Sequence, residues 1–145
     1  MIQRIQSVFL LIVSAGFFSL FGFPFATTSA AAANALSNKA FEVLDNPILL
    51  VLAAVGGVLA LVNIFLFRNR KRQIHIGYML IVLGILLGVA AYVLFMQESQ
   101  ELPQQVTIHD AVGTYIPFIV IAFTIAANYF IRKDEKTVRS MDRLR

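Results

Sequence analysis

The stretch IHIGYMLIVLGILLGVAAYVLFM, residues 74–96, contains no Asp, Glu, Lys or Arg. An α-helix rises about 1.5 Å per residue, so roughly 20 apolar residues cover the ~30 Å hydrocarbon core of a bilayer. Backbone amides and carbonyls find no water in hydrocarbon, and a helix satisfies them within one segment. The stretch therefore predicts a transmembrane helix. Its length and uninterrupted apolarity separate it from the core helix of a soluble domain.

Three further runs of this kind are residues 5–25, 47–67 and 111–131, none with an ionised side chain. The chain has 145 residues, 59% hydrophobic and 14% charged, against about a quarter charged in ordinary soluble domains. The expected fold class is all-α: a polytopic four-transmembrane-helix bundle forming one membrane domain. With no cysteine, disulfides, iron–sulfur clusters, thiolate zinc sites and cysteine nucleophiles are excluded. The first run has a second reading. Its MIQR start and the small residues of TSAAAANA resemble a cleavable signal peptide, but the apolar core is longer than a usual signal.

Basic residues set the orientation, since Lys and Arg accumulate on the cytoplasmic side. Arg4 precedes the first span. Arg68, Arg70, Lys71 and Arg72 fill the link 68–73. Arg132, Lys133, Lys136, Arg139, Arg143 and Arg145 populate the tail 132–145. Lys39 alone falls on the other side, with Glu42, Asp45, Glu98, Glu101 and Asp110. Both termini are expected in the cytoplasm, with outer loops 26–46 and 97–110. This distribution accounts for the net charge of +4 without nucleic acid.

The short link predicts an antiparallel hairpin of spans two and three. In the first outer loop, Thr27, Thr28 or Ser29 as N-cap and Leu36, Ala40 and Leu44 at four-residue spacing predict a short interfacial helix, with a flexible linker as the alternative. Pro47 is placed to open the second span. The second outer loop reads as a polar connector turning near Pro103.

Within the spans, Gly84 and Gly88, with Gly77 before them, and the pairs Ala53/Gly57 and Gly56/Ala60 mark faces where helix backbones approach closely. They are expected to pack spans two and three together or to dock a partner helix. Asn63 and Asn128 lie at similar depth near the cytoplasmic face and are expected to face the interior or each other, because an amide in hydrocarbon needs a partner. His75 and His109 fall at opposite membrane faces, about 30 Å apart, so they do not share a metal or haem. No Asp, Glu, Lys or Arg lies within a span, which argues against an ion or proton path. Pro117 falls in the first turns of span four, and Pro24 is expected to end span one.

The tail can extend the fourth helix. Glu135 and Arg139 are spaced i, i+4, and Val138, Met141 and Leu144 fall on one stripe. Cations beyond the membrane edge attract anionic headgroups, whereas the interspersed acids and apolar stripe suit a protein partner. The chain resembles a family of four-helix integral membrane proteins of Bacteroidota, a domain of unknown function, over essentially its whole length. MIQRIQSV, IFLFRNRKRQI, GTYIPFI and the tail IRKDEKTVRSMDRLR, of KDEKxVRSxDRLR type, carry the resemblance. It implies a bacterial inner-membrane location and topology, and no activity, substrate or cofactor.

The leading expectation is a non-enzymatic accessory subunit of a larger inner-membrane complex, with protein export or insertion machinery slightly favoured and a respiratory complex as the other candidate. The basic link and tail residues would contact membrane-protein partners or anionic headgroups. Gly56, Gly57, Asn63, Gly84, Gly88 and Asn128 would pack helices. No catalytic, metal or cofactor residues are assigned. An alternative is a small-molecule or lipid-binding transporter, with a homodimer as one form, whose cavity would need Asn63, Asn128, Ser14, Ser19 or Thr124. A third reading is an enzyme using His109 and Asp110 at the outer face.

Overall fold

A computed structural model describes residues 2–29, 38–100 and 106–142. Four helices dominate: α1 (Ile2–Ser19), α2 (Pro47–Phe65), α3 (Arg70–Ser99) and α4 (Ile116–Asp142). Three short strands, β1 (Ala26–Thr28), β2 (Ala40–Phe41) and β3 (Ile108–Asp110), form an antiparallel sheet in the order β2-β1-β3. The helices alternate in direction and form a ring in which each packs on its sequence neighbours and α4 closes on α1.

Each helix turns one stripe inward at helical period. In α2 this is Leu49, Ala53, Gly56, Gly57, Ala60 and Asn63; in α3 it is Gln73, Gly77, Leu80, Gly84, Leu87 and Ala91. The opposite faces are also apolar, with Val51, Val55, Val58, Val82, Val89, Phe118 and Ile125 all exposed. A water-soluble bundle puts charge there. A bundle whose solvent is hydrocarbon puts aliphatic side chains outside and reserves small and polar residues for the helix interfaces. Three helices, at Pro47–Phe65, Arg70–Ser99 and Val112–Val138, the last including the 3-10 turn before α4, are long and apolar enough to cross a membrane.

Helix α1 departs from expectation. Its apolar part is Ile5–Ser19, and the helix stops there instead of running to Phe25. Residues 20–22 form a turn, with the Phe23 amide donating to the Ser19 carbonyl at 3.1 Å. Proline disfavours the α conformation of the residue before it, so Phe23-Pro24 cannot extend the helix.

The interfacial helix expected in the first outer loop does not extend over the described residues of that loop. Thr27 and Thr28 lie in β1 and Ala40 lies in β2, while Leu44 falls in a 3-10 turn, Val43–Asp45. Leu36 and Pro103 lie outside the described residues. The second outer loop contributes β3, so the all-α expectation gains a small sheet. β1 is the central strand: Ala26 pairs with both Phe41 and Asp110. The Ala111 amide donates to the Phe25 carbonyl at 3.0 Å and the Gly113 amide to that of Pro24 at 2.9 Å. A side chain on Gly113 would overlap the Pro24 carbonyl, so only glycine permits this approach. Buried Phe25, Phe41 and Val43 close the bundle beneath the sheet, with Phe41 5.6 Å from the Phe95 ring.

Asn46 caps α2, its side chain accepting from the Ile48 amide at 2.9 Å, and Pro47 takes the first helical position. After α2, a 3-10 turn (Leu66–Arg68) and Asn69 suffice to reverse the chain. Asn69 caps α3 by accepting from the Arg72 amide at 3.3 Å. Arg70, Lys71 and Arg72 therefore form the first turn of α3 instead of a loop. Helix α4 begins at Ile116, after a 3-10 turn (Val112–Thr114), and continues through the basic tail to Asp142.

Candidate functional site

The end of the bundle opposite the sheet is basic and is braced by two contacts between α3 and α4. The Arg70 guanidinium lies 2.9 Å from the Asp134 carboxylate, an ion pair with both side chains largely shielded. The Arg132 guanidinium sits 5.0 Å from the centre of the Tyr78 ring, over its electron-rich face. Three cations at the start of α3 oppose the positive pole of the helix dipole. Asp134 offsets this for Arg70, whereas Lys71 and Arg72 are exposed. Lys133 and Lys136 on α4 are exposed as well. Side chains of Arg68 and Arg139, and the whole of Arg143 and Arg145, lie outside the described residues.

Just inside this end each helix contributes one buried carboxamide: Gln6 from α1, Asn63 from α2, Gln73 from α3 and Asn128 from α4. Gln6 donates to the Phe130 carbonyl at 3.2 Å, and Gln73 to the Asn63 carbonyl at 3.2 Å. The Asn63 and Asn128 amides and the Gln73 side-chain oxygen have no hydrogen-bond partner. Asn63 and Asn128 thus both face the interior. Gln73 escapes a reading of the spans alone because it precedes the run 74–96, and Gln6 because it lies at the very start of the run 5–25. Gln73 lies four residues before Gly77, on the same inward stripe of α3, and that spacing was the available signal.

The glycines pack different helices from those expected. Gly56 and Gly57 receive Phe17 and Phe18 of α1; a Cβ on Gly56 would fall 2.5 Å from the Phe17 ring. On α3, Gly77, Gly84 and Gly88 meet Asn128, Ile121 and Pro117 of α4. Moving seven and then four residues along α3 moves the partner by seven and then four residues back along α4, an antiparallel register in close contact.

Towards the sheet end this seam opens into a groove of about 540 Å³ between α3 and α4. Gly84, Gly88 and Ala91 lie on its α3 side, Pro117 and Ile121 on its α4 side, and Asp110 at the sheet end. Apart from Asp110 and Thr114, its lining carries no hydroxyl, amide or charge except the Tyr92 phenol. Ser14, Ser19, Asn63, Thr124 and Asn128, which the transporter reading needs, do not line it. The Ser14, Ser19 and Thr124 hydroxyls donate to the carbonyls of Gly57, Gly16 and Val120. His75 and His109 lie at opposite ends, in α3 and β3. Among the described residues no group of three His, Cys, Asp or Glu could hold a metal ion.

A family model, described as a domain of unknown function (DUF4293), matches residues 2–144. The chain belongs to this family. The match covers the helices, the sheet and the basic tail together. Comparison with curated proteins and with solved structures finds no match.

Proposed function

We propose that the protein spans the bacterial inner membrane four times, with both termini in the cytoplasm, as a non-enzymatic accessory subunit of a larger membrane complex. The carrying observation is the continuation of α4. It runs 27 residues without a break, about 40 Å, and extends about 16 Å past Ile131. The Arg70–Asp134 and Arg132–Tyr78 contacts fix the base of this extension. A charged helix held rigidly beyond the membrane loses little conformational entropy on docking, which favours a protein contact over a loose lipid anchor.

The four-span count rests on how α1 lies. Gln6 meets Phe130 and Gly16 meets Val120, so α1 runs antiparallel along the apolar length of α4. The apolar turn after Ser19 extends its depth towards the sheet. Exposed valine and leucine at Val8 and Leu11 support the same hydrocarbon surroundings for α1 as for the other three helices. The basic end is cytoplasmic by the distribution of Lys and Arg. The Bacteroidota resemblance implies an inner membrane, and a cytoplasmic basic helix favours export or insertion machinery slightly over a respiratory complex. Binding of a lipid is a second reading, favoured by the groove between α3 and α4.

A tag inserted at Ser37 leaves the tail free for purification in mild detergent. The expected result is a stoichiometric protein partner. Reversing the charges of Lys133, Lys136 and Arg139 should release it. A chain that purifies alone, or a partner retained after charge reversal, would overturn the assignment.

A further inference from the structure

The groove between α3 and α4 has a length, a position and a charge that select an occupant. It extends along α3 from Gly84 to Met96, twelve residues or about 18 Å of helix. That is close to half of the ~30 Å hydrocarbon core, the depth of one leaflet. Its inner end is shut where Ile121 packs against Gly84, with 3.0 Å between an Ile121 carbon and the position a Cβ would take. A partner transmembrane helix would need a seam through both leaflets, and this one stops midway. A hydrocarbon chain entering from one leaflet needs only this half. The exposed side chains of Val89, Tyr92 and Phe118 border the groove, so it opens sideways, towards lipid.

The mouth carries the sign. Asp110, exposed in β3, lies at the sheet end of the groove. The Thr114 hydroxyl there is already committed to the Phe25 carbonyl. Among the described residues Lys39 is the one Lys or Arg at this end of the bundle, and it does not line the groove. A zwitterionic headgroup that brings an ammonium to the mouth is therefore favoured over a net-anionic one without it.

We infer that the α3–α4 groove is a lipid-binding site that takes one acyl chain of a phospholipid whose headgroup bears a primary ammonium, with Asp110 facing that ammonium. The inference rests on the helices crossing the bilayer and is independent of the accessory-subunit role. The volume, about 540 Å³, lies in the ~300–1,000 Å³ range of sites for small ligands.

The test uses the full chain in nanodiscs of equal phosphatidylethanolamine and phosphatidylglycerol, followed by gentle release and native mass spectrometry of retained lipid. One retained lipid per chain is expected, enriched about threefold in phosphatidylethanolamine, the worth of a partly exposed ion pair. Asp110→Lys should reverse the preference without touching the packed seam. Gly88→Phe should fill the groove and abolish retention at unchanged helical content. If Gly88→Phe does not fold, the Asp110→Lys preference decides alone. Equal retention of both lipids by the unaltered protein, no retained lipid, a folded Gly88→Phe that still retains one, or a second copy or other polypeptide occupying the groove would each overturn the inference. Failure to enter nanodiscs at all would instead count against the membrane-crossing reading, so the two failures are distinguishable.

Discussion

The Asn128 carboxamide of α4 rests directly on Gly77 of α3, with the position a Gly77 Cβ would take only 2.6 Å from Asn128 Cγ. The two helices approach as closely as they do here because one partner has no side chain. The other partner places an unpartnered amide in the contact.

Gly77→Ala should therefore push α3 and α4 apart. The expected loss is about 1–3 kcal/mol, the usual cost of overpacking a core. Thermal unfolding in detergent would read it. Adding Asn128→Ala removes the colliding group, so the double variant should recover part of the loss, and a double-mutant cycle should show non-additivity.

Asn63 is fully buried and its amide has no hydrogen-bond partner. A buried polar group without a partner costs about 1–3 kcal/mol. Leucine has nearly the same shape and none of that cost. Asn63→Leu should leave the melting temperature unchanged or raise it. A marked fall would mean that the amide is satisfied in the membrane by a group outside this chain.

Gly113→Ala should break the tie between the two loops at the sheet end, because the new methyl group would collide with the Pro24 carbonyl. A loss of about 1–3 kcal/mol is expected. Amide exchange should rise first in β1 and β3 and leave the middle of α2 protected, since local opening follows the weakened element.

The absence of cysteine makes topology directly measurable. Lys39→Cys at the sheet end should react with a membrane-impermeant maleimide added to intact cells stripped of their outer membrane. Lys136→Cys at the basic end should react only after lysis. Labelling of both from one side would refute a four-span bundle with cytoplasmic ends.

The long helices were legible because roughly twenty apolar residues in a row leave a long, uninterrupted signal, and three of the four are long and apolar enough to cross a membrane. The ends were less legible. Residues 20–25 are as apolar as the helix before them, and only Gly22 and Pro24 announce its stop. Arg70–Arg72 look like a polar link, yet the Asn69 cap turns them into helix. The strands are two or three residues long, too short for alternation to register, and they pair across a separation in sequence that no local pattern records. Of the candidate site, the inward direction of Asn63 and Asn128 followed from the cost of an amide in hydrocarbon. The α3–α4 groove did not follow, because small residues mark a close approach without stating which helix approaches or where the contact ends.

The central position of β1 bears on the order of assembly. β1 and β2 belong to the connection between the first two helices, while β3 precedes the last. A chain inserted only as far as α3 would leave one edge of β1 open. That edge closes when β3 arrives, ahead of α4. The sheet is thus completed only after α3, and its closure marks the arrival of the segment that leads into α4.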